Sequence, residues 1–176
     1  MTRAGGVDEH DLADAGAPGH RPDRSRILDA IGLLARLGLA AVWLISGVVK
    51  AAAPAETLVA VRAYRLLSPG TAEMVAAVLP YLEIALGLLL IIGLATRLTA
   101  VLSAVVLLVF IGGVISAAAR GLSIDCGCFG GGGDIAAGQT NYAGEILRDT
   151  GFLLLAGWLV VRPRTPWSLD RRLTGR

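Results

Sequence analysis

The run from Leu98 to Ala119 contains no ionisable side chain, and two further stretches, Ile27–Val49 and Ala72–Leu94, are nearly as apolar. Crossing a bilayer as a helix takes about 20 predominantly apolar residues. A water-soluble domain of this size has no core deep enough to hide three such runs, so they define an integral membrane protein. Composition agrees: 55% of the residues are hydrophobic and only 17% charged, against about a quarter in soluble domains. The net charge of +2, with no basic patch interleaved with aromatics, argues against nucleic acid as a partner. The lipid bilayer is the first partner implied.

A fourth run, Tyr142–Val161, is apolar after a polar first third and is followed by Arg162-Pro163-Arg164. Four helices with short connections predict an all-α transmembrane four-helix bundle. Residues 1–26 are polar, without apolar periodicity, and read as a disordered cytoplasmic tail. That tail carries His10 and His20, and it is too long and too acidic for the leading region of a signal peptide. The domain division is therefore 1–26 tail, 27–162 membrane domain and 163–176 basic cytoplasmic tail. Between the first two spans, Leu58, Val61, Tyr64 and Leu67 recur at helical spacing between Pro54 and Pro69. They predict a short amphipathic helix at the membrane surface.

Lys/Arg bias sets orientation. With the N-terminus inside, the inner segments hold ten Lys/Arg residues and the outer ones four: Lys50, Arg62, Arg65 and Arg120. The expectation is an N-in/C-in protein of the cell membrane whose loop 120–141 faces outward.

That loop holds both cysteines of the chain, Cys126 and Cys128, in the stretch SIDCGCFGGGGD. Three readings compete. A structural disulfide between residues two apart closes a tiny loop and gains little entropy. A structural zinc site takes about four N or S ligands, and no histidine lies on that side, so a complete site would draw on a partner. A redox pair suits an oxidising compartment, where a strained bond between near neighbours is readily reduced. One pair can exchange with a partner thiol or a quinone-like acceptor; it cannot relay electrons through two successive disulfides. The glycines 130–133 are expected to leave room for an approaching protein.

Ionisable residues inside the apolar runs are expensive and usually have a partner or a role. Arg36 in the first span and Glu83 in the second are expected to face one another, as a structural ion pair or as contacts for a polar ligand such as a quinone head group. At the start of the fourth span, Arg148 shares a face with Glu145 and either pairs with it or favours a cysteine thiolate. Arg120 is a second candidate for tuning the cysteine loop. Trp43, Trp158 and Trp167 are expected to pack or to anchor helices at the membrane interface.

The Gly47-x-x-Lys50 end of the first span, Tyr64-Arg65-Leu66-Leu67-Ser68-Pro69, Leu79-Pro80-Tyr81-Leu82-Glu83 and the loop from Arg120-Gly121 to Asp125-Cys126-Gly127-Cys128-Phe129-Gly130 resemble the MauE branch of the DoxX-like membrane proteins. The resemblance covers roughly residues 30–162, and the DCGCFG loop is its specific part. It implies a role in forming or transporting disulfide-containing proteins outside the cytoplasm, linked by the family's namesake to methylamine metabolism. Among DoxX relatives it also implies quinone-linked thiol or sulfur oxidation. Cys126 and Cys128 would carry the redox role, with an extracytoplasmic thioredoxin-like or disulfide-containing protein as partner. A non-enzymatic scaffold of a redox complex and a small transporter built on Arg36 and Glu83 are the competing functions.

Overall fold

The computed structural model describes residues 22–128, 130–136 and 138–163. His10, His20 and Trp167 lie outside these residues, as do the first 21 residues and all but the first of the 163–176 tail. Five helices are described: α1 Pro22–Ala52, α2 Pro54–Ala63, α3 Pro69–Ile92, α4 Thr96–Ala119 and α5 Tyr142–Val161. Helix α1 therefore starts before Ile27, and residues 22–26 are helical. Three segments are long and apolar enough to cross a membrane: Arg26–Ala52, Pro69–Ile92 and Thr96–Ala119. Helix α5 forms where the fourth apolar run predicts a helix, but its polar opening keeps it out of that set.

Local chemistry explains where the helices stop. Ala53 is held out of helical angles by Pro54 behind it, which breaks α1 from α2. The Thr57 hydroxyl donates to the carbonyls of Lys50 and Ala53 at the break, both at 3.1 Å. Ser68 caps α3 by accepting from the Thr71 N–H, with Pro69 opening the first turn. Gly93, at φ 69°, closes α3, and the N–H groups of Gly93 and Leu94 both donate to the Leu89 carbonyl. The α3–α4 turn is consequently very short, and the two helices run antiparallel.

The extensive interfaces are α1 with α3 and α4 with α5, and α1 also touches α5. Small residues let α1 and α3 approach. A Cβ on Gly47 would lie 2.8 Å from the Pro80 carbonyl oxygen, and one on Gly87 would lie 2.7 Å from Leu44. The core contains Leu39, Trp43, Leu86, Leu90, Leu107 and Leu159. Trp43 is buried rather than interfacial: its indole N–H donates to Ser103 Oγ at 2.9 Å and its ring tilts against Phe110. Trp158 packs on the same cluster. The opposite helix faces expose Leu34, Ile45, Val78, Leu98, Val109 and Leu154, an apolar exterior suited to lipid.

Helix α2 differs from the amphipathic expectation. It ends at Ala63, and its buried residues are Thr57, Ala60 and Ala63, not the larger apolar ones. The small face is what permits a backbone to lie against it. That backbone is the cysteine loop, which a two-residue antiparallel ladder, β1 (Ile124–Asp125) with β2 (Gly133–Asp134), closes at its base.

The candidate dithiol site

Four elements meet around the loop. Tyr142, in the first turn of α5, donates its hydroxyl to the Leu122 carbonyl at 2.6 Å and accepts from the Ile124 N–H, fixing the loop's entry. Asp125 Oδ1 accepts from the Gly127 N–H. Gly127, at φ 65°, and Gly132, at φ 103°, both press on α2: a Cβ on either would lie 2.7 Å or 2.5 Å from the Ala60 methyl. Gly127 and Gly132 thus dock the loop onto α2, and Gly132 belongs to the run 130–133 that is expected to leave room for an approaching protein.

The two thiols, both free, are placed unequally. The Cys126 sulfur accepts from the Cys128 N–H at 3.4 Å and lies 3.7 Å from an Arg148 Nη2 donor. The Cys128 thiol is within hydrogen-bonding reach of the same sulfur. That thiol hydrogen bond, helped by the Cys128 N–H and by Arg148, draws Cys126 below the ordinary thiol range, against burial and the Glu145 carboxylate. Cys128 is pushed up instead, first because it donates to Cys126, then by burial and by the charge on its neighbour. The pair titrates as a unit, with Cys126 drawn down and Cys128 pushed up.

Behind Cys128 lies a buried polar network. Its carbonyl accepts from Ser46 Oγ at 2.7 Å and from Lys50 Nζ at 3.1 Å. Lys50 also reaches both carboxylate oxygens of Glu83, at 2.9 and 3.0 Å, and Ser46 Oγ at 2.5 Å. Glu83 is fully buried and Lys50 is 7% exposed. The partner of Glu83 is therefore Lys50 and not Arg36. Arg36, itself buried, sits fourteen residues earlier on α1, about 21 Å along the axis at the helical rise. Helix α3 begins well beyond the end of α1, which places Glu83 level with the last turn of α1 and far from Arg36.

Arg148 is where its functional reading places it, against a cysteine, and its Nε also donates to Asp149 at 2.9 Å. Arg120 is not at the thiols. It donates to the carbonyls of Tyr64, Arg65 and Ser116, pinning the α2–α3 connection to the end of α4. The sequence shows Lys50 as an outer-side charge and as the end of the Gly47-x-x-Lys50 motif, and gives neither Lys50 nor Ser46 a place at the thiols. Their i, i+4 spacing puts them on one helix face, the signal that was available.

Asp125, Cys126 and Glu145 bring ligand atoms within 4.8 Å of one another, the arrangement closest to a metal site among the described residues. The Arg148 guanidinium already supplies positive charge to the same sulfur, so the electrostatics favour a thiolate over a bound cation. Beside the thiols is a cavity of about 200 Å³, lined by Lys50, Tyr64, Leu79, Val109 and Phe110 together with Cys126 and Cys128.

No curated protein and no solved structure matches the chain. Residues 28–162 match the family model described as methylamine utilisation protein MauE, which takes in three of the four elements around the loop in full and most of α1. With three bilayer-length apolar helices, a dithiol loop docked at their end and a family match over most of its length, the chain is a multi-pass membrane protein of the MauE family.

Proposed function

We propose that Cys126 and Cys128 form a thiol–disulfide exchange centre at the extracytoplasmic end of an N-in/C-in bundle, with α5 as its fourth span. Cys126 is the exchanging sulfur and Cys128 the resolving one. In exchange, the Cys126 thiolate attacks one sulfur of a partner disulfide, forming a mixed disulfide and expelling the partner's other thiolate. Cys128 then loses its proton to that thiolate and attacks Cys126, so the internal disulfide forms and the partner leaves as a dithiol. The reverse sequence oxidises a partner. The partner class is an extracytoplasmic thioredoxin-like or disulfide-containing protein, in keeping with a family described by methylamine utilisation.

The observation that carries this reading is the unequal treatment of the two sulfurs. Cys126 receives hydrogen bonds from the Cys128 N–H and from Arg148, and the Cys128 carbonyl is tied to Ser46 and Lys50. A merely structural thiol pair has no use for an acidified, positively flanked member. The test is labelling of intact cells with a membrane-impermeant maleimide, combined with Cys128→Ser. The reading expects Cys126 to label from outside and the variant to accumulate a mixed disulfide on Cys126. Labelling only after the cells are opened, or a Cys126→Ser/Cys128→Ser protein that retains full function at normal membrane level, would defeat it.

A further inference from the structure

Resolution by Cys128 requires its proton to find an acceptor. In the reduced pair that proton faces the Cys126 sulfur. Once Cys126 is joined to a partner in a mixed disulfide, its sulfur is neutral and accepts poorly. Cys128 must nonetheless become a thiolate to attack. Two buried groups with no part yet in the exchange chemistry stand beside it. Glu145 Oε2 and Asp149 Oδ2 are buried carboxylate oxygens that accept no hydrogen bond among the described residues. They lie four residues apart near the start of α5, so their side chains are neighbours on one helix face. Asp149 is only 3% exposed. A buried acceptor left open destabilises a fold, and a charged one more than most, so a purely structural role does not account for the two.

Both are placed against the dithiol. A Glu145 carboxylate oxygen lies within 4.8 Å of the Cys126 sulfur. Arg148 Nε donates to Asp149 Oδ1 at 2.9 Å, and its Nη2 faces the Cys126 sulfur at 3.7 Å. Those two nitrogens share one edge of the rigid guanidinium fork, so carboxylate and sulfur sit side by side. The Asp149 charge is also among those that push the Cys128 thiol up, so it acts on the resolving sulfur as well. The other ionisable groups around the two carboxylates are Asp125 from the loop and Tyr64 at the end of α2. Helix α4 offers none between Leu98 and Ala119, and Lys50 of α1 is engaged with Glu83 and Ser46.

We infer that Asp149 is the proton acceptor for Cys128 in the resolving step, and that Glu145, one turn nearer the helix start, carries the proton onward. This rests on the exchange reading above and supplies its proton path. Cys128 passes its proton to Asp149 Oδ2 as its sulfur attacks Cys126. The Cys126–Cys128 bond forms, the bond to the partner breaks, and the partner sulfur leaves with the electron pair. The new carboxylic acid returns the proton through Glu145 to the partner's thiolate, so the overall exchange is unchanged. In the reverse direction the same acid protonates Cys128 as a partner thiolate opens the internal disulfide. Arg148 is a positioning residue in this step: it keeps the Asp149 carboxylate turned to the sulfurs.

The experiment uses full-length protein in lipid nanodiscs, reduced, freed of reductant and mixed anaerobically with dithiobis(nitrobenzoate), a disulfide whose cleavage releases a coloured thiolate. The first release reports attack by Cys126. The second, independent of reagent concentration, reports resolution by Cys128. The inference expects the second rate to stay level across about two pH units around neutrality, since a carboxylate takes the proton. It expects Asp149→Asn to slow the second release about a hundredfold at neutral pH, with the first changed only a few-fold. In that variant the second rate should rise about tenfold per pH unit, because Cys128 must then ionise unaided. Asp149→Glu should recover part of the rate. A parent whose second rate itself climbs about tenfold per pH unit overturns the inference, whether or not the variant folds, and leaves the exchange reading standing. So does an Asp149→Asn protein that resolves with the parent's rate and pH profile. A parent that stops after one release, with the mixed disulfide persisting, overturns both readings.

Discussion

Helix α1 makes two kinds of contact along one face. In its middle, Leu39 and Leu44 meet α3 and α5 through packing, with Gly47 and Gly87 setting how closely the backbones approach. One turn later, Ser46 and Lys50 meet Glu83 and the cysteine loop through charge and hydrogen bonds. The first contact resembles any membrane bundle, where small residues and dispersion hold helices together. The second places an ammonium and a carboxylate where water does not reach, a costly arrangement whose stability depends on both partners being present. The difference teaches that the dithiol loop is held to the bundle by polar anchoring, and the bundle itself by packing.

The strongest way to break that contrast is to remove one charge. Lys50→Met leaves Glu83 as a buried carboxylate without a counter-charge and takes one donor from the Cys128 carbonyl. Loss of one member of a buried pair costs about 3–5 kcal/mol, enough to unfold many domains. The variant should unfold at markedly lower temperature in detergent, and Lys50→Met/Glu83→Leu should recover most of the loss. A Lys50→Met protein as stable as the parent would mean that the network is incidental to the fold.

A smaller effect should come from the docking face. Gly132→Ala places a methyl 2.5 Å from the Ala60 Cβ position at φ 103°, a conformation L-residues avoid. Strain of this kind costs about 1–3 kcal/mol, and undocking the loop relieves it. The bundle should keep its melting behaviour while Cys128 becomes more readily alkylated. Gly38→Ala, in α1 with open space around it, should do neither. If both glycine variants leave Cys128 equally protected, the loop is held by Lys50 and Ser46 alone.

These two regions were also unequally legible in the sequence. The apolar runs gave α1, α3 and α4 directly, because helix period and bilayer length are written in consecutive residues. The cysteine pair was legible as chemistry for the same local reason. Its anchors were not: the Lys50–Glu83 bond joins residues 33 apart and the Lys50–Cys128 bond residues 78 apart. Choosing Lys50 over Arg36 for Glu83 depends on how far α3 overhangs α1, which no local pattern records. The role of Ala60 was hidden likewise. An alanine on a short helix carries no signal until Gly127 and Gly132 are seen against it.

The finest discrimination concerns Arg148, whose guanidinium lies 3.7 Å from the Cys126 sulfur at the edge of the site. Arg148→Gln should move Cys126 back up toward the ordinary thiol value of about 8.5 without moving the loop. The sign follows from the direction of the native effect. A thiol held low has more thiolate at neutral pH, so the variant reacts more slowly with iodoacetamide there. Thiolate nucleophilicity falls as acidity rises, with a Brønsted slope of about 0.4–0.5, so the two effects partly cancel. For each tenfold loss of acidity the rate at pH 7 should therefore drop only about threefold. Well above pH 9, where both proteins are fully ionised, the more basic variant should react about threefold faster. The two pH–rate curves cross. Curves that stay parallel, with the variant slower throughout, would show that Arg148 shapes access to Cys126 and not its charge, and the asymmetry between the two sulfurs would then rest on the Cys128 hydrogen bonds alone.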